Sequence, residues 1–146
     1  MYRNILLAYD GSRDGQEALA QGAQLASLCG AKVSLLTVVD ISGIILPVEG
    51  VTFLNEAEIP QSSVTLEEGK RRLREWGVVG NVSLKYGNPA EQIALSAREL
   101  GADLVIVGHR NQGALSRWLN GSVGASILNQ ASCSVLVAVE PGVVRH

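Results

Sequence analysis

The stretch Asp103-Leu-Val-Ile-Val-Gly-His-Arg-Asn-Gln-Gly-Ala-Leu-Ser-Arg-Trp-Leu-Asn-Gly-Ser-Val-Gly124 joins a short apolar run to a glycine-rich one. Four consecutive β-branched or aliphatic residues followed at once by glycine describe a buried strand that ends in a turn. Glycines just beyond a strand are where α/β proteins bring backbone N–H groups up to phosphates. That junction sets both the fold class and the place to look for a ligand.

Outward from it, four more runs of the same kind recur: Ile5–Tyr9, Val33–Val39, Val82–Tyr86 and Val135–Val139, with Leu104–Val107 making five. Most lack polar alternation, as strands buried on both faces should, and helical patterns separate them, so a parallel sheet with crossover helices is expected. Val82–Tyr86 is the least apolar and reads as an edge. Ala18, Leu19, Ala23, Ala26 and Cys29 fall at helical spacing between Ser12, a suitable N-cap, and Gly30, a suitable C′ residue, giving about four to five turns. Asn88-Pro89-Ala90-Glu91 reads as N-cap, first-position proline and first-turn carboxylate of a helix ended by Gly101. Further helices are expected over Ser63–Trp76 and from Ser122 to Asn129. Leu28-Cys-Gly-Ala-Lys-Val33 and Glu99-Leu-Gly-Ala-Asp-Leu104 repeat one helix-to-strand joint. The segment Asp40–Pro60 is long and apolar for a connection, and reads as a flap over a ligand, an interface, or packing on the sheet edge.

With 146 residues the chain is expected to be a single domain, 1–146, with a core that needs no disulfide or metal. Twelve basic against fourteen acidic residues, a formal charge of −2, offer no basic stripe for nucleic acid or an anionic membrane. Cys29 and Cys133 show no metal-ligand spacing and read as small buried hydrophobes. The N-terminal apolar run is too short for a signal peptide and no run reaches a membrane span, so a cytoplasmic location is expected.

In an open parallel sheet, ligands bind beyond the carboxyl ends of the strands. Those ends carry Asp10-Gly11-Ser12, Asp40, Gly87-Asn88 and the segment from Gly108. Gly121-Ser122 before a helix supplies backbone donors, a hydroxyl and a helix N-terminus, and Gly108, Asn111 and Gly113 would form the facing wall. The same glycines could simply make a loop, since neither a Walker sequence nor Gly-x-Gly-x-x-Gly is present. Asp10 has two readings: a cation bridge to phosphates, most simply Mg2+, or a cap for the turn at Gly11-Ser12. His109 and Arg110 are placed to meet a phosphate or ribose, or are solvated loop residues. No Ser/His/Asp, Cys/His or paired-carboxylate set can be assembled, so no enzyme activity is expected.

The chain resembles the universal stress protein family. The family's ATP-binding motif is Gly-x2-Gly-x9-Gly-Ser/Thr, and this chain has Gly108-x2-Asn111-x9-Gly121-Ser122. Ile5-Leu-Leu-Ala-Tyr-Asp-Gly-Ser12, Tyr86-Gly-Asn-Pro89, Gly101-Ala-Asp-Leu-Val-Ile-Val-Gly108 and Ala131-Ser-Cys-Ser-Val-Leu-Val-Ala138 extend the likeness over nearly the whole length. The resemblance implies a Rossmann-like, open five-stranded sheet ordered 3-2-1-4-5 with helices on both faces. It implies adenine near Ala8, Asp10 and the backbone around Val38, and phosphates held by Gly108 to Gly113 and Gly121 to Gly124, with Tyr9, Val107, His109, Arg110, Asn111, Ser122 and Val123 in the same implied cofactor-binding set. Two positions depart from the family: Asn111 replaces the second glycine, and Gly124 stands where ATP-binding relatives often carry a hydroxyl. One donor lost from a buried phosphate site costs about 1–3 kcal/mol, so AMP or ADP becomes a competitor of ATP. The resemblance also implies a homodimer, and the apolar strand 134–139 at a sheet edge invites one.

The expected function is therefore an adenine-nucleotide-binding regulatory or stress protein, a ligand-dependent switch with an unidentified protein partner. A nucleotide-free dimeric interaction protein and a slow ATPase are the alternatives. A flavodoxin-type site is disfavoured by the carboxylates of Asp10-Gly-Ser-Arg-Asp14. A phospho-acceptor domain is disfavoured by Gly87-Asn88 and Glu140-Pro141 after the third and fifth strands.

Overall fold

A computed structural model describes residues 1–40, 58–109 and 133–139. The expectations for the apolar segment at 41–57, for the helix at 122–129, and for Arg110, Asn111, Gly113, Gly121, Ser122, Val123 and Gly124 lie outside those residues. In chain order the elements are β1 (Asn4–Ala8), α1 (Arg13–Cys29), β2 (Lys32–Asp40), α2 (Glu58–Glu75), β3 (Asn81–Gly87), α3 (Pro89–Leu100), β4 (Leu104–Gly108) and β5 (Ser134–Ala138). All strand pairs are parallel and the order is β3-β2-β1-β4-β5. The fold is the expected Rossmann-like one, with β3 and β5 at the edges.

β1 runs through the middle, so its residues alternate between two cores. Ile5 and Leu7, continued by Tyr9, pack with Ala18, Leu19, Ala23 and Ala26 of α1 and Leu73 of α2. Leu6 and Ala8 pack with Ala90, Ile93, Ala94 and Ala97 of α3. α1 and α2 therefore cover one face and α3 the other. Leu6, Leu7, Leu35, Leu36 and Ile106 are at most 1% exposed. Each such burial is worth roughly 1.5–3 kcal/mol, which is why aliphatic residues dominate these runs.

The helix ends follow the side chains that cap them. Ser12 Oγ accepts from Gly15 N at 3.0 Å to start α1, and Asn88 Oδ1 accepts from Glu91 N at 3.2 Å to start α3. Gly30 and Gly101 close the two helices at φ 64° and 63°, a left-handed conformation that a side chain would strain. α2 starts five positions before the expected Ser63. It takes in Pro60, which is tolerated because first-turn N–H groups have no partner within the helix. At the amino edge of the sheet the Asp103 carboxylate accepts from Arg3 N at 2.8 Å and Asn4 N at 3.1 Å, tying the entrances of β1 and β4 together. Cys29 and Cys133 are free thiols and only half-buried, more open than their apolar reading implied. Burial pushes the Cys133 thiol up, with help from the negative charge of Asp103.

Candidate functional site

The carboxyl ends of β1 and β2 enclose a small cleft against the start of α3. Ala8, Tyr9 and Asp10 line it from β1, Leu36 and Val38 from β2, and Pro89 and Ile93 from α3. Its volume is about 50 Å3, room for a few waters or for part of a nucleobase. Apart from Tyr9 and Asp10 the lining is aliphatic, and such walls suit the faces of a flat ring while leaving recognition to the polar edge.

Ala8, Asp10 and Val38, the residues that the resemblance implies around adenine, thus come together. Pro89, Ile93 and Leu36 were missed as site residues. The crossover direction carries the missed signal: α3 joins β3 to β4, so it must pass over β2 and β1, and its first turn arrives beside their carboxyl ends.

Tyr9 contributes differently from its neighbours. Its N–H donates to Leu36 O at 2.9 Å, and its carbonyl accepts from the buried Thr37 hydroxyl at 3.0 Å, which fixes the chain just past β1. Its ring belongs to the core on the α1–α2 face. Its hydroxyl lies 3.2 Å from Glu68 Oε1, the atom that also accepts from Arg72 Nε at 2.9 Å. Burial, reinforced by the Glu68 charge, raises the Tyr9 hydroxyl to about 12. Its side chain therefore ties α2 to the end of β1.

Asp10 is exposed, and its Oδ1 accepts from both the backbone N–H and the hydroxyl of Ser12. Gly11, between them, has φ 81°. The capping reading of Asp10 is realised here. Among the described residues no three His, Cys, Asp or Glu side chains are grouped to hold a metal. A cation at Asp10 would therefore depend on phosphate oxygens for most of its ligands.

On the β4 side, Val107 is buried with the α3 core and Gly108 ends the strand, paired with Ala138 of β5. A Cβ on Gly108 would lie 2.8 Å from Gly15 N, so glycine is required where the first turn of α1 passes. His109 follows, half-buried. The first turn of α1 therefore touches both the Asp10 side and the Gly108 side of the crevice.

Against known proteins, the sequence model described as "Universal stress protein family" matches residues 1–138. Universal stress protein MJ0531 of Methanocaldococcus jannaschii is 32% identical over 143 residues, 97% of this chain and 84% of that protein. Universal stress protein YxiE of Bacillus subtilis is 30% identical over 148 residues, 94% of this chain and 99% of that protein. A solved structure of a universal stress protein family member from Burkholderia pseudomallei superposes with TM-score 0.71 at 27% identity, covering 93% of this chain and 95% of its own. One from Archaeoglobus fulgidus in complex with dAMP gives TM-score 0.65 at 21% identity, over 94% of this chain and 98% of its own. One from Arabidopsis thaliana with AMP bound gives 0.65 at 18%, over 96% and 93%. At these lower identities the likeness is one of fold.

Proposed function

The chain belongs to the universal stress protein family, and from that membership we propose that it is an adenine-nucleotide-binding regulatory protein whose ligand is bound and not turned over. The observation that carries this reading is the meeting of Ala8, Asp10 and Val38 in one cleft at the carboxyl ends of β1 and β2. Aliphatic side chains there accept the faces of a base, and Asp10 supplies an acceptor for its polar edge or for the ribose. The phosphates would run from there past Gly108 toward the glycine-rich segment that follows β4, with Mg2+ held by phosphate oxygens and Asp10.

AMP is the ligand we favour, with ADP and ATP as competitors. The replacement of the motif's second glycine by Asn111 supports this preference, as do the mononucleotides in the Arabidopsis and Archaeoglobus relatives. In this reading the nucleotide alters the surface around the cleft and so what an unidentified protein partner meets. The protein acts in the cytoplasm as a dimer through β5.

The test is calorimetry on protein stripped of small molecules, titrated with AMP, ADP and ATP at millimolar Mg2+. Saturable binding with AMP at least as tight as ATP is expected. Absence of heat with all three would overturn the reading, and mass spectrometry of whatever the purified protein releases gives an independent check.

A further inference from the structure

Asp10 is held by more than its own backbone. Its Oδ1 accepts from Ser12 N at 2.9 Å and from the Ser12 hydroxyl, and Ser12 Oγ in turn accepts from Gly15 N at 3.0 Å. Gly15 completes the seat: a Cβ at that position would stand 2.6 Å from Asp10 Oδ1 and 3.2 Å from Ser12 Oγ. An exposed aspartate ordinarily exchanges rotamers on the nanosecond scale and turns away from an ill-matched neighbour. Here two donors converge on one oxygen, and the missing side chain at position 15 leaves a notch into which that oxygen fits.

We propose that Ser12, with the notch at Gly15, is a specificity-determining positioning device that locks the Asp10 carboxylate at the lip of the cleft, so that Asp10 presents one oxygen, Oδ2, to one N–H or O–H donor of the nucleoside. The inference rests on the adenine-nucleotide reading and deepens it. A locked acceptor discriminates where a mobile one does not. A ligand that brings a carbonyl to Oδ2 sets two acceptors against each other, and one that brings no group covers the carboxylate without pairing it, while the Ser12 and Gly15 contacts keep it from turning away. Two nucleoside donors meet this description, the exocyclic amine of adenine and a ribose hydroxyl. IMP replaces the first with a carbonyl, and 2′- or 3′-deoxyadenosine monophosphate removes the second.

The experiment compares the wild-type chain with Ser12→Ala, Ser12→Gly and Ser12→Thr by calorimetry with AMP, IMP and the two deoxy analogues. Glycine is a competent N-cap, so Ser12→Gly removes the hydroxyl while sparing the start of α1. Wild type is expected to prefer AMP by about tenfold or more over one class of analogue, and which class identifies the donor. Ser12→Ala and Ser12→Gly should bring that ratio to within about threefold of unity, and Ser12→Thr, which keeps a hydroxyl, should restore it. A ratio unchanged in Ser12→Gly, or equal weakening of every ligand, would leave Ser12 a cap alone and overturn the proposal. So would wild-type binding without discrimination, whereas wild type that binds no AMP overturns the nucleotide reading itself.

Discussion

Gly108, the last residue of β4, lies against Asp14 in the first turn of α1: a Cβ on Gly108 would stand 2.7 Å from the Asp14 carbonyl carbon and 2.8 Å from its oxygen. Both obstacles are backbone, which cannot rotate aside. Gly108 is not among the glycines with positive φ, so Gly108→Ala suffers overlap without dihedral strain. We expect a loss of about 1–3 kcal/mol in urea denaturation together with weaker AMP binding, because the displaced turn carries Ser12 and Gly15. Unchanged stability would mean that this glycine serves ligand approach only.

The Tyr9 hydroxyl gives a pH signature. Its folded value of about 12 lies above the ordinary tyrosine value of 10.0, so between these the unfolded chain loses the proton while the folded one keeps it. The contribution is fully present below pH 10 and is lost as pH rises toward 12, with a slope of at most about 1.4 kcal/mol per pH unit. Tyr9→Phe should remove this alkaline slope. At pH 8 the same substitution should cost about 0.5–1.5 kcal/mol, for the hydrogen bond to Glu68. Urea denaturation of both proteins at pH 8 and pH 11 checks it, and equal losses of stability on going to pH 11 would count against a protonated, buried Tyr9.

These two residues also mark what the sequence discloses. The caps at Ser12, Gly30, Asn88 and Gly101 act within a few positions of themselves, so local spacing is enough to find them. Strand limits fall within one residue of the apolar runs because strands covered on both faces are predominantly aliphatic. That same uniformity hides which face each residue takes. Nothing local places the Tyr9 ring under α2, next to a glutamate 59 positions away, or sets Pro89 and Ile93 beside Val38. The glycine at position 108 is legible as the end of a strand, whereas its contact with α1 depends on a helix that starts 95 residues earlier, at Arg13.

β5 is a sheet edge whose residues Val135, Leu136 and Val137 are half-buried, and Val139 beyond it is 38% exposed. In the dimer proposed through this strand, a charge at Val139 would have to be desolvated against the partner strand. Val139→Lys should raise the dimer dissociation constant about tenfold or more in sedimentation equilibrium, with the sheet unchanged by circular dichroism. Wild type sedimenting as a monomer at high micromolar concentration would remove the dimer altogether.

Val38 offers the most direct test of the cleft. It is half-buried on β2, faces the α3-side core, and lines the cleft with Ala8 and Asp10. Because the cavity is only about 50 Å3, a larger side chain at this position fills the space an adenine edge would enter. Val38→Phe should therefore weaken AMP by about tenfold or more. Its partial exposure gives the ring a way out toward solvent, which holds the stability cost to about 1 kcal/mol, the low end for overpacking. Inorganic phosphate or tripolyphosphate binding, which needs no base pocket, should be unaffected by it. Retention of wild-type AMP affinity with a folded protein would place the base elsewhere along the carboxyl edge of the sheet, and parallel loss of phosphate binding would point to a general disturbance of β2 in place of a blocked cleft.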